Sequence, residues 1–156
     1  MTARTLTYAI ASTCLMIGPA AALDVSSSAI VAGSPSEVWG KIGDFCAIET
    51  WHPAVSKCEQ TDEGGATHRT LTTTDGGTIK EKLVEKTDTS YTYDIIESPL
   101  PVANYRSTMS VSAEGDKTKV DWRSNFDAKG ASDADAQGVI SGIYKAGLDK
   151  IAKAGN

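Results

Sequence analysis

The sequence is poor in the residues that build metal centres and nucleic-acid surfaces. It has two histidines and three cysteines among 156 residues. None of them forms the closely spaced Cys–Cys or His–His pairs that seed zinc sites, so no metal is expected. Lysine and arginine total 15 against 20 aspartates and glutamates, a formal net charge of −5 with the signs interspersed. Without a basic patch, binding to a phosphate backbone is not expected. Apolar runs are also short. None reaches the about 20 residues that a bilayer-spanning helix needs. There are no internal repeats and no low-complexity tracts.

What the sequence does contain begins with a leader-like segment. Met1 to Ala22 carries one basic residue, Arg4, and no acid, with an apolar stretch from Tyr8 to Ile17 and then Pro19 and the small run Ala20-Ala21-Ala22. This is the anatomy of a secretory signal peptide cleaved after Ala22. It predicts a periplasmic or secreted protein, with residues 23–156 as a single domain of ordinary size. Cys14 would leave with the leader. Cys46 and Cys58 would remain in a compartment that permits disulfides.

Periodicity assigns the elements. Val25–Ala32 suits a first strand. Ser34 caps a helix whose first position is Pro35 and whose capping box is completed by Glu37. Gly43 ends that helix, and a second short one runs from about Cys46 to Trp51, stopped by Pro53. From Val55 the period changes to two. A hairpin turns at Asp75-Gly76-Gly77, with Gly77 free for a positive φ, and another turns at Glu114-Gly115-Asp116. The strands are joined by short turns, which predicts an antiparallel meander. After Gly130 the pattern is helical to the end. Ser132 is the cap, and Ala136, Ile140, Ile143, Gly147 and Ile151 form one face. Helices at both ends of a contiguous set of strands argue an α+β fold with a curved sheet packed on the last helix.

Strand alternation sorts the faces. Arg69 and Leu71, then Ile79, Glu81 and Leu83, then Tyr91, Tyr93 and Ile95 turn inward. So do Tyr105, Ser107 and Met109, and then Trp122, Ser124 and Phe126. A three-residue loop at 75–77 would place Leu71 opposite Glu81, with Arg69 diagonal to it. An inward carboxylate must be paired or wet. Glu81 is therefore a structural ion pair, a polar anchor in a ligand pocket, or an acid–base group working with Tyr91 or Tyr93. Gly147 and Ala136 on the helix face are compatible with empty space beneath it and equally with close packing.

The stretches "SPSEVWGKIGDFCAIETWHP", "RTLTTTDGGTIKEKL", "SYTYDIIESPLPVANYRSTMSV" and "KVDWRSNF" carry a resemblance. In order and spacing they resemble the START / birch-pollen-allergen (SRPBCC) superfamily and its polyketide cyclase/dehydrase-like branch. "SPSEVW" stands where that branch has a Pro-Pro form. The resemblance implies a helix-grip fold: a seven-stranded sheet around the C-terminal helix, two short helices, and a cavity for a small hydrophobic molecule. It implies no cofactor and carries over no shared catalytic residues. The expected ligand-facing residues are His52, Arg69, Glu81, Leu83, Tyr91, Tyr93, Tyr105, Met109, Trp122, Phe126, Ile143 and Gly147. The main expectation is a binding or carrier protein without stable membrane insertion. The alternatives are a cyclase/dehydratase-type enzyme using Glu81 with Tyr91 or Tyr93, and an accessory protein docking on another periplasmic protein.

Cys46, His52 and Cys58 are left to explain. A metal site lacks further ligands, and a Cys–His catalytic pair needs a free thiol and an orienting group. A Cys46–Cys58 disulfide fits the compartment best. It would stabilise by about 3 kcal/mol in the chain-entropy treatment.

Overall fold

The computed structural model describes residues 22–154. The leader expectation, apart from Ala22, falls outside them, as does Cys14. Ten elements follow in order: β1 (Leu23–Ala32), α1 (Pro35–Ile42), α2 (Ile48–Trp51), β2 (Val55–Glu63), β3 (Ala66–Thr73), β4 (Thr78–Lys86), β5 (Ser90–Glu97), β6 (Val102–Glu114), β7 (Lys117–Ala128) and α3 (Asp133–Ala154). The seven strands form one antiparallel sheet in the order β1-β7-β6-β5-β4-β3-β2. This is the α+β helix-grip arrangement. β1 and β2 are the two edges, and α1 and α2 carry the chain between them. Among the described residues no helix is long and apolar enough to cross a membrane.

Local chemistry sets the helix ends. Ser34 Oγ accepts from the Glu37 amide, and the Glu37 carboxylate accepts from the Ser34 amide at 2.8 Å, the expected capping box. Gly43 follows α1 in a right-handed conformation. Glycine is needed there for room, because a Cβ would lie 2.4 Å from the Trp39 ring. Ser132 Oγ accepts from the Asp135 amide and caps α3, about 33 Å long.

Two details of the β3–β4 hairpin differ from the sequence reading. Arg69 stands directly opposite Glu81, and Leu71 opposite Ile79. The loop is Thr74-Asp75-Gly76, closed by the Thr73 amide donating to the Gly77 carbonyl. Gly76, at φ +90°, is the residue that takes the left-handed conformation, and Gly77 is not. The turn sits one residue earlier than Asp-Gly-Gly suggests, because Asp75 Oδ1 binds both the Thr73 hydroxyl and the Gly77 amide and winds the loop around itself.

Most residues of the inward faces predicted from alternation are buried, while Ile79, Leu83 and Ile95 are half-buried. Tyr91, Tyr93, Tyr105, Met109, Val120, Trp122 and Phe126 are at most 4% exposed. On α3 the buried stripe also includes Tyr144 and Leu148, while Ile143 is half-buried. Cys46 and Cys58 are joined in a disulfide with Cα atoms 5.5 Å apart, tying the turn before α2 to edge strand β2. Glu49 reinforces the tie by accepting from the Cys58 amide at 2.6 Å.

Candidate ligand cavity

Arg69 and Glu81 form a fully buried ion pair, Nε to Oε2 2.5 Å. Arg69 also donates to the Phe45 carbonyl, and its guanidinium lies 4.0 Å over the Phe45 ring and 5.1 Å from the Tyr93 ring. A guanidinium in a site this dry requires a counter-charge. Glu81 supplies it and is itself turned toward open space. Burial pushes the Glu81 carboxyl above the ordinary carboxylate range, and the neighbouring Arg69 charge pulls it part of the way back.

That open space is a cavity of about 270 Å³ between α3 and the half of the sheet formed by β3, β4 and β5. Ile48, Leu71, Ile79, Ile95, Ile140 and Ile143 supply aliphatic parts of its wall. The exposed residues Ala54, Thr74 and Asp75 stand at its outer end. Its deep end is polar, with Glu81, Tyr93, Tyr105, Trp122 and Tyr144.

The hydroxyls of Tyr105, Tyr144 and Ser107 are tied to one another, whereas Ser124 Oγ is buried without a hydrogen-bond partner among the described residues. Tyr93, Ser107 and Ser124 are aligned across β5, β6 and β7 by register. The Tyr105 and Tyr144 hydroxyls are 2.5 Å apart, Tyr144 is 2.8 Å from Ser107 Oγ, and Ser107 Oγ donates to the Arg123 carbonyl at 2.8 Å. The Trp122 indole N–H reaches both Tyr93 and Ser107 at 3.1 Å, and the Trp122 ring stacks on Tyr144 with centroids 4.3 Å apart. A β-bulge between Ala103 and Arg106, with Asn104 at φ +51°, keeps Tyr105 aimed inward. Burial raises Tyr93 and Tyr105 well above the usual phenol value and pushes Tyr144 up to about 12. All three stay neutral at physiological pH.

His52 closes one side. Its Nδ1 accepts from the Ala54 amide at 3.2 Å, so the ring proton sits on Nε2, which donates to the Ile143 carbonyl at 3.0 Å. Burial pushes this imidazole below the ordinary histidine value. The Ile143 carbonyl opposes that shift, and the Arg69 charge adds to it.

A model of the polyketide cyclase / dehydrase and lipid transport family matches residues 22–155. The chain belongs to that family. Among solved structures, the protein XoxI from Bacillus cereus is 34% identical, with a TM-score of 0.79 over 85% of this chain and 94% of its own. An uncharacterised protein from Bacillus thuringiensis is 35% identical, again with a TM-score of 0.79, over 85% of this chain and 98% of its own. The Zhui aromatase/cyclase from Streptomyces sp. R1128 shares the fold at 16% identity, with a TM-score of 0.68 over 86% of this chain and 93% of its own. No curated protein matches the chain.

Within this family fold, the structure divides the residues expected to face a ligand. His52, Glu81, Tyr93, Tyr105, Trp122 and Ile143 stand on the cavity wall. Arg69, Leu83, Tyr91, Met109, Phe126 and Gly147 do not. Arg69 lies behind Glu81. Tyr91 donates weakly to Met109 Sδ at 3.5 Å, and Phe126 packs on Tyr105, so these are core. Leu83 is half-buried beside a bulge of β4. Gly147 marks close packing rather than space, since a Cβ there would meet the rings of His52, Trp51 and Trp122. The sequence reading missed Tyr144. Its signal was the four-residue step from Ile140 through Tyr144 to Leu148, one position off the stripe that was read.

Proposed function

We propose that the protein binds or carries a small hydrophobic molecule, held between the sheet and α3, in an oxidising compartment outside the cytoplasm. The observation that carries this reading is the cavity of about 270 Å³, apolar over most of its wall, with polar groups gathered at its deep end and outer rim. Small-ligand pockets have this make-up and run from about 300 to 1,000 Å³, so this one suits a small guest better than a two-chain lipid. Two wall side chains that could act as a base or a nucleophile, His52 and Thr73, are engaged elsewhere. Both His52 nitrogens are bonded, and the Thr73 hydroxyl is held by Asp75 and Gly77. The Cys46–Cys58 disulfide, together with the leader-like segment, supports export.

Titration of the purified protein with an apolar fluorescent probe tests the reading. Saturable binding and displacement by a small apolar molecule are expected, and native mass spectrometry of protein taken from its own compartment should show a retained ligand. A protein that takes up no probe overturns it.

A cyclase- or dehydratase-type enzyme is the second reading. It is favoured by Glu81, a carboxyl raised by burial and facing the cavity near Tyr93. If it holds, Glu81→Gln abolishes turnover of a found substrate. Docking on another protein has less support, because the exposed large apolar residues Ile30, Val84, Ile96 and Val139 come from four separate elements.

A further inference from the structure

Counting protons at the deep end of the cavity narrows the guest. Ser107 has one hydroxyl hydrogen, and it goes to the Arg123 carbonyl. Both remaining lone pairs of Ser107 Oγ are then acceptors, one for the Trp122 N–H and one for Tyr144. Tyr144 therefore donates to Ser107, and its oxygen must accept from Tyr105. The relay runs in one direction, Tyr105 to Tyr144 to Ser107 to the β7 backbone, and it uses the hydrogen of every member. Tyr93 stands outside it. Its oxygen accepts from Trp122, and among the described residues its own O–H has no acceptor.

Charge narrows the guest further. Among the described residues that line the cavity there are two carboxylates, Glu81 and Asp75, and no lysine or arginine. Arg69 is paired with Glu81 and the Phe45 carbonyl behind the wall, and its Nη2, buried without a hydrogen-bond partner among the described residues, does not line the cavity. A ligand with an anionic head would find no cation on the wall to offset its desolvation. Size supplies the third limit. A cavity of about 150 Å³ takes up benzene, so about 270 Å³ suits two fused rings or their equivalent.

Resting on the binding reading above, we infer that the cavity selects an uncharged molecule of about two rings carrying a carbonyl or hydroxyl oxygen, and that Tyr93 is the residue that selects it by donating to that oxygen. A hydrocarbon of the same shape would leave the Tyr93 hydrogen unpaired in a dry site. The Tyr105 oxygen and Glu81 can accept a hydrogen from a hydroxyl on the same guest.

Three shape-matched probes test this by calorimetry on the intact protein: 1-tetralone, tetralin and tetralin-1-carboxylate. The ketone should bind about tenfold to a hundredfold more tightly than the hydrocarbon, and the carboxylate more weakly than either. Tyr93→Phe should erase the ketone's advantage while leaving the tetralin affinity within about twofold, since only one hydroxyl is lost. This variant keeps Ser107 as acceptor for Trp122, so the relay and the fold survive. The comparison of heads in the unaltered protein stands without any variant. Equal affinity for ketone and hydrocarbon, a preference that survives in Tyr93→Phe, or a carboxylate that binds tightest overturns this inference alone. Failure of all three probes to bind overturns the binding reading and this inference with it.

Discussion

A Cβ on residue 147 would lie 2.7 Å from Cδ2 of His52. The bare backbone of α3 at Gly147 lets the His52 ring lie against the helix and donate to the Ile143 carbonyl one turn earlier. The wall residue His52 and the helix that covers the cavity are fastened to each other at that point.

Gly147→Ala should therefore destabilise the protein although alanine is the better helix former. Helix propensity favours alanine by about 1 kcal/mol. The new methyl would also meet Trp51 at 2.9 Å and Trp122 at 3.1 Å, both buried rings held in edge-to-face contact with each other. Overpacking of this kind costs about 1–3 kcal/mol, and a net loss is expected in urea unfolding. An unchanged or higher midpoint would mean that α3 moves away freely.

The folded-state pKa of His52 lies below the ordinary 6.5, chiefly through burial. A depressed value means that its contribution is complete above 6.5 and is lost as the pH falls through the folded-state value. Protonation would also set an N–H of the ring against the Ala54 amide. The stability difference between the natural protein and His52→Phe should shrink steadily on going from neutral to mildly acidic buffer. An NMR midpoint for His52 at or above 6.5 would contradict this.

Arg69 and Glu81 should be costly to separate and cheap to replace together. Arg69→Met leaves the Glu81 carboxylate buried without its partner, a loss of about 3–5 kcal/mol. Arg69→Met combined with Glu81→Leu should recover most of that loss, because apolar pairs of similar volume often do as well. Chemical denaturation of the two single variants and the double variant decides the matter. Additive losses would show that the pair is not coupled.

Tyr91, Tyr93, Tyr105 and Tyr144 are all raised by burial, Tyr144 to about 12. A raised folded-state value stabilises fully below the unfolded value of 10, and the benefit is lost as the pH rises toward the folded value. In an ultraviolet alkaline titration these four should ionise together with unfolding. Tyrosinate absorbance from them near 10 in a protein whose circular dichroism is still native would refute the buried arrangement.

The strand faces were legible because alternation leaves no freedom: a residue and its second neighbour share a side. That is why Tyr93, Tyr105 and Trp122 could be placed inward from sequence. The pairing of Arg69 with Glu81 was less legible. The β3–β4 register depends on how Asp75 bonds around the turn, and a neighbouring Gly76-Gly77 offers two positions for the left-handed residue. Tyr144 escaped because a helix face is wide, and the stripes through Ile143 and through Tyr144 differ by one position.

By itself the sequence determined the order of the elements, the antiparallel meander and the set of side chains that turn toward α3, since periodicity and turn residues act locally. Only the tertiary structure decided which of those side chains meet open space. Leu71 and Phe126 look alike in a strand pattern, yet one lines the cavity and the other is sealed in the core. The difference lies in how far α3 stands from the sheet at each point. The helix is drawn close where Gly147 meets three rings, and the cavity opens where Ile140 and Ile143 face the sheet. That spacing is set by contacts between residues distant in the chain, which no local pattern encodes.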